Sequence, residues 1–190
     1  MTSLSHDRSR RSYSPVTDDD LVRLGELGAV HDGRFRAAHE DWAETLLAVC
    51  LAQGAAHHRV YRDRGVKDFD VWLFYALPSG RNAGHFPWNR NTVHVDFGPS
   101  AHGRQEYSAE EWANPAFNVA RWDKFTGRRV DLLARAIPQN PGGPRAAVRA
   151  WLQRGLRHRA RPDESRPSAW WLAQQPVIAL ARASLGERWW

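Results

Sequence analysis

The chain has 190 residues, of which 42% are hydrophobic, 25% charged and 11% aromatic, a balance typical of globular rather than disordered proteins. This length favours one domain whose core needs neither disulfides nor a structural metal, and the single cysteine, Cys50, excludes a disulfide framework and fits a reducing cytosol. No long apolar run or apolar leader segment occurs, so we expect a cytoplasmic protein without a membrane span or secretory signal.

The net charge of +6 is unevenly distributed along the chain. Residues 17–50 carry eight acids and three arginines, whereas residues 145–166 carry seven arginines and two acids. This asymmetry is compatible with one face that meets an anionic partner such as a nucleotide, a nucleic acid or an acidic protein. The predominance of arginine over lysine, together with abundant alanine, is equally typical of the codon bias of a GC-rich genome.

The first part of the chain predicts a disordered arm followed by two helices. Residues 1–16 are rich in Ser, Arg and Pro and lack periodicity. Thr17, followed by three aspartates, is a typical helix start, and Gly28 is a plausible end for that helix. Asp32 is then expected to cap a second helix whose apolar positions extend to Leu46.

The middle of the chain predicts strands. The apolar run over residues 46–54 fits either a helix or a buried strand, because periodicity cannot separate the two. Clearer strands are VWLFYAL (71–77), TVHVDF (92–97) and RRVDLLA, which follows Gly127. A short helix is expected around residues 109–113.

The last part of the chain predicts helices. PQNPGGP at residues 138–144 is the clearest break, and a basic amphipathic helix with Leu152 and Leu156 on its apolar side follows it. Ser168 is expected to cap a further helix, and Pro176 to begin a final apolar segment. The fold class predicted from these elements is α/β (α+β): a single domain over residues 17–190 with a small mixed β-sheet flanked by helices and a helical C-terminal part.

Acidic side chains provide the strongest functional signal. Asp68 and Asp70, in KDFDVW, are separated by one residue at the start of a strand and therefore project from the same face. Adjacent carboxylates repel each other, and a hard divalent cation such as Mg²⁺ relieves that repulsion. Asp96 and Asp131 both lie inside short apolar strands, where an unpaired acid is costly, and either one would complete a two-metal site.

Structural roles for the same acids are the alternative. An Asp-x-Asp pair often marks a solvated strand end, Asp131 has Arg129 and Arg135 as nearby partners, and Asp96 has His94 on its own face. Asp131 is favoured as the third acid because it interrupts a more apolar strand, whereas Asp96 has that ready local partner.

Two segments resemble a known superfamily. LAQGAAHHRVYRDRGVKDFDVWLFYA and RRVDLLARAI resemble the core of the DNA polymerase β-type nucleotidyltransferase superfamily, which has a Gly-Gly or Gly-Ser turn, an Asp-x-Asp strand and a third Asp on an adjacent strand. Gly54 and Ala55 stand at the turn, Asp68 and Asp70 match the pair, and Asp131 best matches the third acid. Ala55 departs from the usual Gly or Ser. This resemblance covers about a quarter of the chain. The chain is also similar to a bacterial family that has the Gln-Gly-Ala-Ala and Lys-Asp-Phe-Asp-Val-Trp signatures.

The resemblance implies a nucleotidyltransferase-like fold and Mg²⁺-dependent transfer of a nucleoside monophosphate from a nucleoside triphosphate to an unidentified nucleic-acid or protein acceptor. It implies that Asp68 and Asp70 hold two Mg²⁺ ions with the triphosphate, and that Asp131 or Asp96 contacts one metal and activates the acceptor hydroxyl. Gly54 would shape the turn that faces the phosphates. A relative that only binds such partners, without catalysis, is the alternative, and the same acids would also serve a metal-dependent nuclease or phosphoesterase.

Basic and aromatic residues supply further candidates. Lys67, Arg128 and Arg129 are placed to meet a polyphosphate, although ion pairing or a solvated surface also explains them. Residues 53–56 combine small side chains that suit either close approach of a ligand or tight helix–sheet packing. The ten tryptophans are consistent with a base-stacking surface or with a protein interface.

Overall fold

The structure is a computed structural model. It describes residues 15–62, 66–87, 93–98, 128–158 and 164–190. Most of the predicted arm and the helix expected around residues 109–113 lie outside these ranges. Val16, which the sequence assigned to the arm, is fully buried in the core, so the ordered domain includes it.

In the described ranges, helices and strands alternate through most of the chain. The α-helices are α1 (Asp18–Ala38), α2 (Gln53–Tyr61), α3 (Gly143–Leu156) and α4 (Ser168–Leu172). The strands are β1 (Leu46–Ala52), β2 (Phe69–Leu77), β3 (Val93–Asp96), β4 (Arg129–Pro138) and β5 (Ile178–Ala179). Short 3-10 helices occupy Glu40–Trp42, Ala83–His85 and Arg182–Ser184.

These strands form a mixed sheet in the order β3-β4-β2-β1-β5. β2 and β4 are parallel, whereas β1 pairs antiparallel with β2 and β5, and β3 pairs antiparallel with β4. The expected α/β class with a mixed sheet flanked by helices is therefore confirmed. The apolar run over 46–52, left open by its periodicity, is a strand.

Each face of the sheet packs against its own helical layer. On the α1 face, alternate residues of β2 such as Val71 and Leu73 join the apolar side chains of α1 in one core cluster. On the α3 face, Trp72 and Phe74 pack with Val148 and Leu152 of α3 and with α4. Because strand side chains alternate, Asp68 and Asp70 belong to the α3 face.

Helix α1 is longer than the sequence predicted. Thr17 caps it as expected, in a capping box with Asp20, but the helix runs through Gly28 instead of ending there. A Cβ at Gly28 would lie 2.6 Å from Val49 Cγ1, so the absent side chain lets the helix approach β1 closely. The glycine therefore serves packing and not termination.

Asp32 consequently lies inside α1 and is not the cap of a second helix. Its carboxylate is buried, accepts a 3.0 Å hydrogen bond from the Tyr75 hydroxyl and pairs with Arg36 at 2.9 Å. Two partners explain how a buried acid is tolerated there.

The C-terminal elements follow the predicted order with local differences. Ser168 is the first residue of α4 and not its cap; Pro167 is at the cap position, and Ser168 Oγ lies 3.2 Å from an Arg135 nitrogen. Leu156, expected on the apolar side of α3, is 46% exposed. In the described part of the chain, no helix is both long and apolar enough to cross a membrane.

Candidate functional site

The register of the sheet brings the predicted acids together on the α3 face. Asp70 of β2 is directly opposite Asp131 of β4, and Ala52 of β1 flanks Asp70 on its other side. Asp131 is in turn opposite His94 of β3. Asp68 lies two residues before Asp70 and shares its face. We call Asp68, Asp70 and Asp131 the acid cluster.

Arg129 links two members of the acid cluster. Its Nη2 lies 3.0 Å from Asp68 Oδ2 and 2.7 Å from Asp131 Oδ2, and its Nε lies 2.7 Å from Asp131 Oδ1. Of the two arginines that the sequence offered to Asp131, it is therefore Arg129 that pairs with it. Arg135 instead donates to the Ala134 carbonyl at 2.7 Å.

Asp70 has a different environment from the other two acids. Its carboxyl group forms no hydrogen bond or ion pair within the described part of the chain. Burial, together with repulsion from Asp68 and Asp131, raises the pKa of its carboxyl group to about 8, and the nearby Arg129 offsets only part of this effect. Asp70 is thus protonated at neutral pH unless a further cation approaches.

The pKa of Asp68 is also raised, for related reasons. Burial and the neighbouring Asp131 raise it, while Arg129 and Lys67 act in the opposite direction. Lys67 therefore contributes positive charge beside the acids, as the sequence suggested.

Asp131 and Asp96, the two candidates for the third acid, have different neighbours. Asp131 is only 8% exposed and lies 2.7 Å from His94 Nδ1 through its Oδ1. Asp96, for which the sequence offered His94 as a partner, accepts a 2.8 Å hydrogen bond from the backbone N–H of Gly98. The contact of His94 across the strands was missed because it depends on the β3–β4 register, which sequence alone does not give.

Gly54 and Ala55 lie in the first turn of α2, immediately after β1. The backbone turn is made at Gln53, whose φ of 57° is left-handed, so the turn residue is not the predicted Gly54. A Cβ at Gly54 would meet no atom within 4 Å, whereas Ala55 is fully buried against the core. Tight packing therefore accounts for Ala55, and Gly54 leaves open space in front of its backbone.

Arg128 and Arg129 do not share the environment expected of two phosphate ligands. Arg129 forms ion pairs with the acids. Arg128 immediately precedes β4, so the alternation of side chains along the strand places it on the opposite face of the sheet from Arg129, where it is 8% exposed. The tryptophans of the described ranges are also dispersed: Trp42 and Trp72 are core residues on opposite faces of the sheet, while Trp171 is 57% exposed. These three do not share one stacking surface.

The acid cluster offers hard oxygen ligands but is not arranged as a metal cage. Among the described residues, no group of three or more His, Cys, Asp or Glu side chains is placed so that it could hold a metal ion. The Arg129 guanidinium provides positive charge between Asp68 and Asp131.

Comparison with known proteins adds no relative from which a role could be transferred. The chain matches no protein-family model, and no curated protein or solved structure is significantly similar to it.

Proposed function

We propose that the protein is a Mg²⁺-dependent nucleotidyltransferase that moves a nucleoside monophosphate from a nucleoside triphosphate to an acceptor hydroxyl in the cytosol. The observation that carries this proposal is the pairing of Asp70 with Asp131 on adjacent parallel strands, with Asp68 on the same face. Three carboxylates at the end of a strand pair give the donor set that phosphoryl-transfer metals require.

Mg²⁺ is supported by the chemistry of these carboxylates, although in the described structure they do not converge as metal ligands. The Asp70 carboxyl group has no partner among the described residues, and burial together with repulsion from Asp68 and Asp131 raises its pKa, so a divalent cation would favour its charged form. Asp68 and Asp70 would hold the metal with the triphosphate, and Asp131 would contact it and orient the acceptor hydroxyl. Bound there, Mg²⁺ would neutralise the phosphates and polarise the transferred group.

The neighbouring cations support binding of a polyphosphate. Arg129 and Lys67 both lie close enough to Asp68 to influence its pKa. Arg129 is 16% exposed at its side chain and forms its ion pairs at the edge of the acid cluster, where phosphate oxygens could replace a carboxylate partner. Gly54 follows the end of β1, where Ala52 is the register neighbour of Asp70, and leaves open space in front of its backbone.

A second function is favoured by the ion pairs themselves. Because Arg129 forms ion pairs with both Asp68 and Asp131, the acid cluster is also consistent with a structural ion-pair network in a non-catalytic protein of this fold. Such a protein would bind a protein or nucleic-acid partner through the arginines of α3 and exposed aromatic side chains such as Trp171.

Thermal unfolding of the full chain with each of the common nucleoside triphosphates, with Mg²⁺ or with EDTA, tests the first function. We expect a nucleotide to raise the melting temperature only with Mg²⁺, and we expect Asp70→Asn to lose this shift. Asp19→Asn, which removes an exposed acid of α1, is the matched control and keeps it.

Products then separate the candidate reactions. Incubation with an α-labelled triphosphate and candidate acceptors gives labelled acceptor if the protein transfers nucleotides, but a shortened nucleic acid or free monophosphate if it hydrolyses phosphoesters. If no nucleotide shifts the wild-type melting temperature, the transferase proposal is abandoned in favour of the non-catalytic one.

A further inference from the structure

A second candidate site lies apart from the acid cluster, in a cleft between α2, α3 and the C-terminal segment. The cleft has a volume of about 670 Å³, in the usual range for small-molecule sites. His57 and Tyr61 of α2 form one wall, Arg149 of α3 another, and residues 173–176 with residues 188–190 complete the lining.

The cleft carries basic side chains. Arg149 and Arg188 line it, and none of its lining side chains in the described part of the chain is acidic, while Arg188 Nε donates a 2.8 Å hydrogen bond to the main-chain oxygen of Trp190. Glu187, the acid next in sequence, is directed to Arg145 at 3.6 Å. Arg149 forms no hydrogen bond or ion pair with the described residues, so its charge is available to an anion.

Aromatic rings give the cleft flat surfaces. The His57 and Tyr61 rings lie 4.7 Å apart, and the Arg188 guanidinium carbon is 5.6 Å from the Tyr61 ring centroid. Tyr61 is 49% exposed, so part of its ring is open to the cleft. A planar ligand could stack on this exposed surface of Tyr61.

Two polar atoms of lining residues lack partners. Trp189 is only 7% exposed, and its Nε1 donor, like the Oε1 acceptor of Gln175, is buried without a hydrogen bond in the described structure. Both atoms are closed to solvent, so they are unpaired groups of the packing beside the cleft and not contacts of a ligand in it.

From this combination we infer that the cleft binds a nucleoside phosphate unit, with the base against the exposed Tyr61 ring and the phosphate at Arg149 and Arg188. The unit could be a free nucleotide or the end of a single strand, since both present the same chemistry. This inference goes beyond the proposed transferase function, because it requires neither Mg²⁺ nor the acid cluster.

The position of the cleft is compatible with a role beside the acid cluster. β5 runs antiparallel to β1 with Ile178 opposite Leu51, so Gln175 and Pro176 lie beyond the end of β1. Ala52, at that end, is the register neighbour of Asp70. The cleft and the acids are therefore at the same end of the sheet.

Titration calorimetry of the full chain in EDTA tests the inference. The probes are AMP, GMP, CMP and UMP, a single-stranded pentanucleotide, and two incomplete ligands, adenosine and ribose 5-phosphate. We expect saturable binding of at least one monophosphate or of the pentanucleotide, and at least tenfold weaker binding of both incomplete ligands. Comparable affinity for a monophosphate and the pentanucleotide assigns the site to free nucleotides, whereas tenfold tighter binding of the pentanucleotide assigns it to a strand end.

Variants locate the binding in the cleft. Arg149→Gln and Tyr61→Leu, both at exposed positions, should each weaken binding at least tenfold, whereas Arg154→Gln, an exposed arginine elsewhere on α3, should not. Asp70→Asn should bind the probes as the wild type does, which separates this inference from the transferase proposal. Absence of binding by every probe, or equal binding by all the cleft variants, overturns the inference.

Discussion

Replacing Asp70 with asparagine should stabilise the metal-free protein at neutral and alkaline pH. The Asp70 carboxyl group has a pKa of about 8 in the folded chain, compared with 3.8 for an unperturbed group. Between these values, the folded state keeps a proton that the unfolded state releases. The contribution of Asp70 to the free energy of unfolding must therefore fall as the pH rises from about 4 to about 8.

The size of the effect follows from the same difference. One pKa unit corresponds to about 1.36 kcal/mol, so the full difference amounts to roughly 6 kcal/mol at most. Asp70 is partly buried and retains some contact with solvent, and the repulsion is shared with Asp68. We therefore expect Asp70→Asn to raise the free energy of unfolding by about 2–3 kcal/mol at pH 8. In a domain of this size, that corresponds to a rise in melting temperature of about 5–10 °C.

Urea unfolding in EDTA at several pH values between 4 and 9 measures this effect. Wild type and Asp70→Asn should have similar stability near pH 4 and should diverge as the pH rises. The exposed control Asp19→Asn should follow the wild-type slope. A stability difference between Asp70→Asn and the wild type that does not grow across this range refutes the assigned environment of Asp70.

Four further predictions follow from the site and the fold. Mg²⁺ should bind more tightly as the pH rises from 6 to 8, because the metal competes with the Asp70 proton. Calorimetry in buffers of different ionisation enthalpy should detect the released proton, and pH-independent binding would contradict the assignment of Asp70 as a metal ligand. In urea unfolding, Arg129→Gln should destabilise the protein by about 3 kcal/mol at pH 7 and by less at pH 5, because it leaves Asp68 and Asp131 without their shared counter-charge. The control Arg145→Gln, which breaks an exposed ion pair, should destabilise it by under about 1 kcal/mol. Asp131→Asn should abolish Mg²⁺-dependent nucleotide binding while the chain still folds, whereas Asp96→Asn should mainly disturb the turn at Gly98; the reverse result in calorimetry would assign Asp96 as the third acid. Gly28→Ala should lower stability by about 1–3 kcal/mol in thermal unfolding, because its Cβ would lie 2.6 Å from Val49 Cγ1, whereas Gly33→Ala, which meets no atom within 4 Å, should not.

Local chemistry made much of the fold predictable. The capping box at Thr17 and the apolar strands over 71–77 and after Gly127 have signals that depend only on neighbours in the chain. Gly28 shows where such reasoning fails, because its role depends on contact with β1, which is distant in sequence. Asp32 was misassigned for the same reason, since its partner Tyr75 lies 43 positions away.

The candidate site was predictable in its acids but not in their partners. The spacing of Asp68 and Asp70 determines that they share a face, and strand alternation also places Arg129 beside Asp131, a signal that the sequence contained. The parallel pairing that sets Asp70 opposite Asp131, and the contact of His94 with Asp131, depend on strand order and register. Nothing in the local sequence of Tyr61 or Arg149 indicated that they line one cleft.

The energetics of the acid cluster support a role other than folding. Asp68 and Asp131 have a shared counter-charge in Arg129, and a structural ion-pair network would account for these three residues. Asp70 does not fit that account, because it lacks a partner in the described chain and its raised pKa means that it opposes folding at neutral pH. An apolar residue opposite Ala52 would avoid this cost. A cation bound at Asp70 would stabilise the charged carboxylate, so the free energy that opposes folding would favour binding of the cation. The acid that contributes least to stability is therefore the one most informative about function.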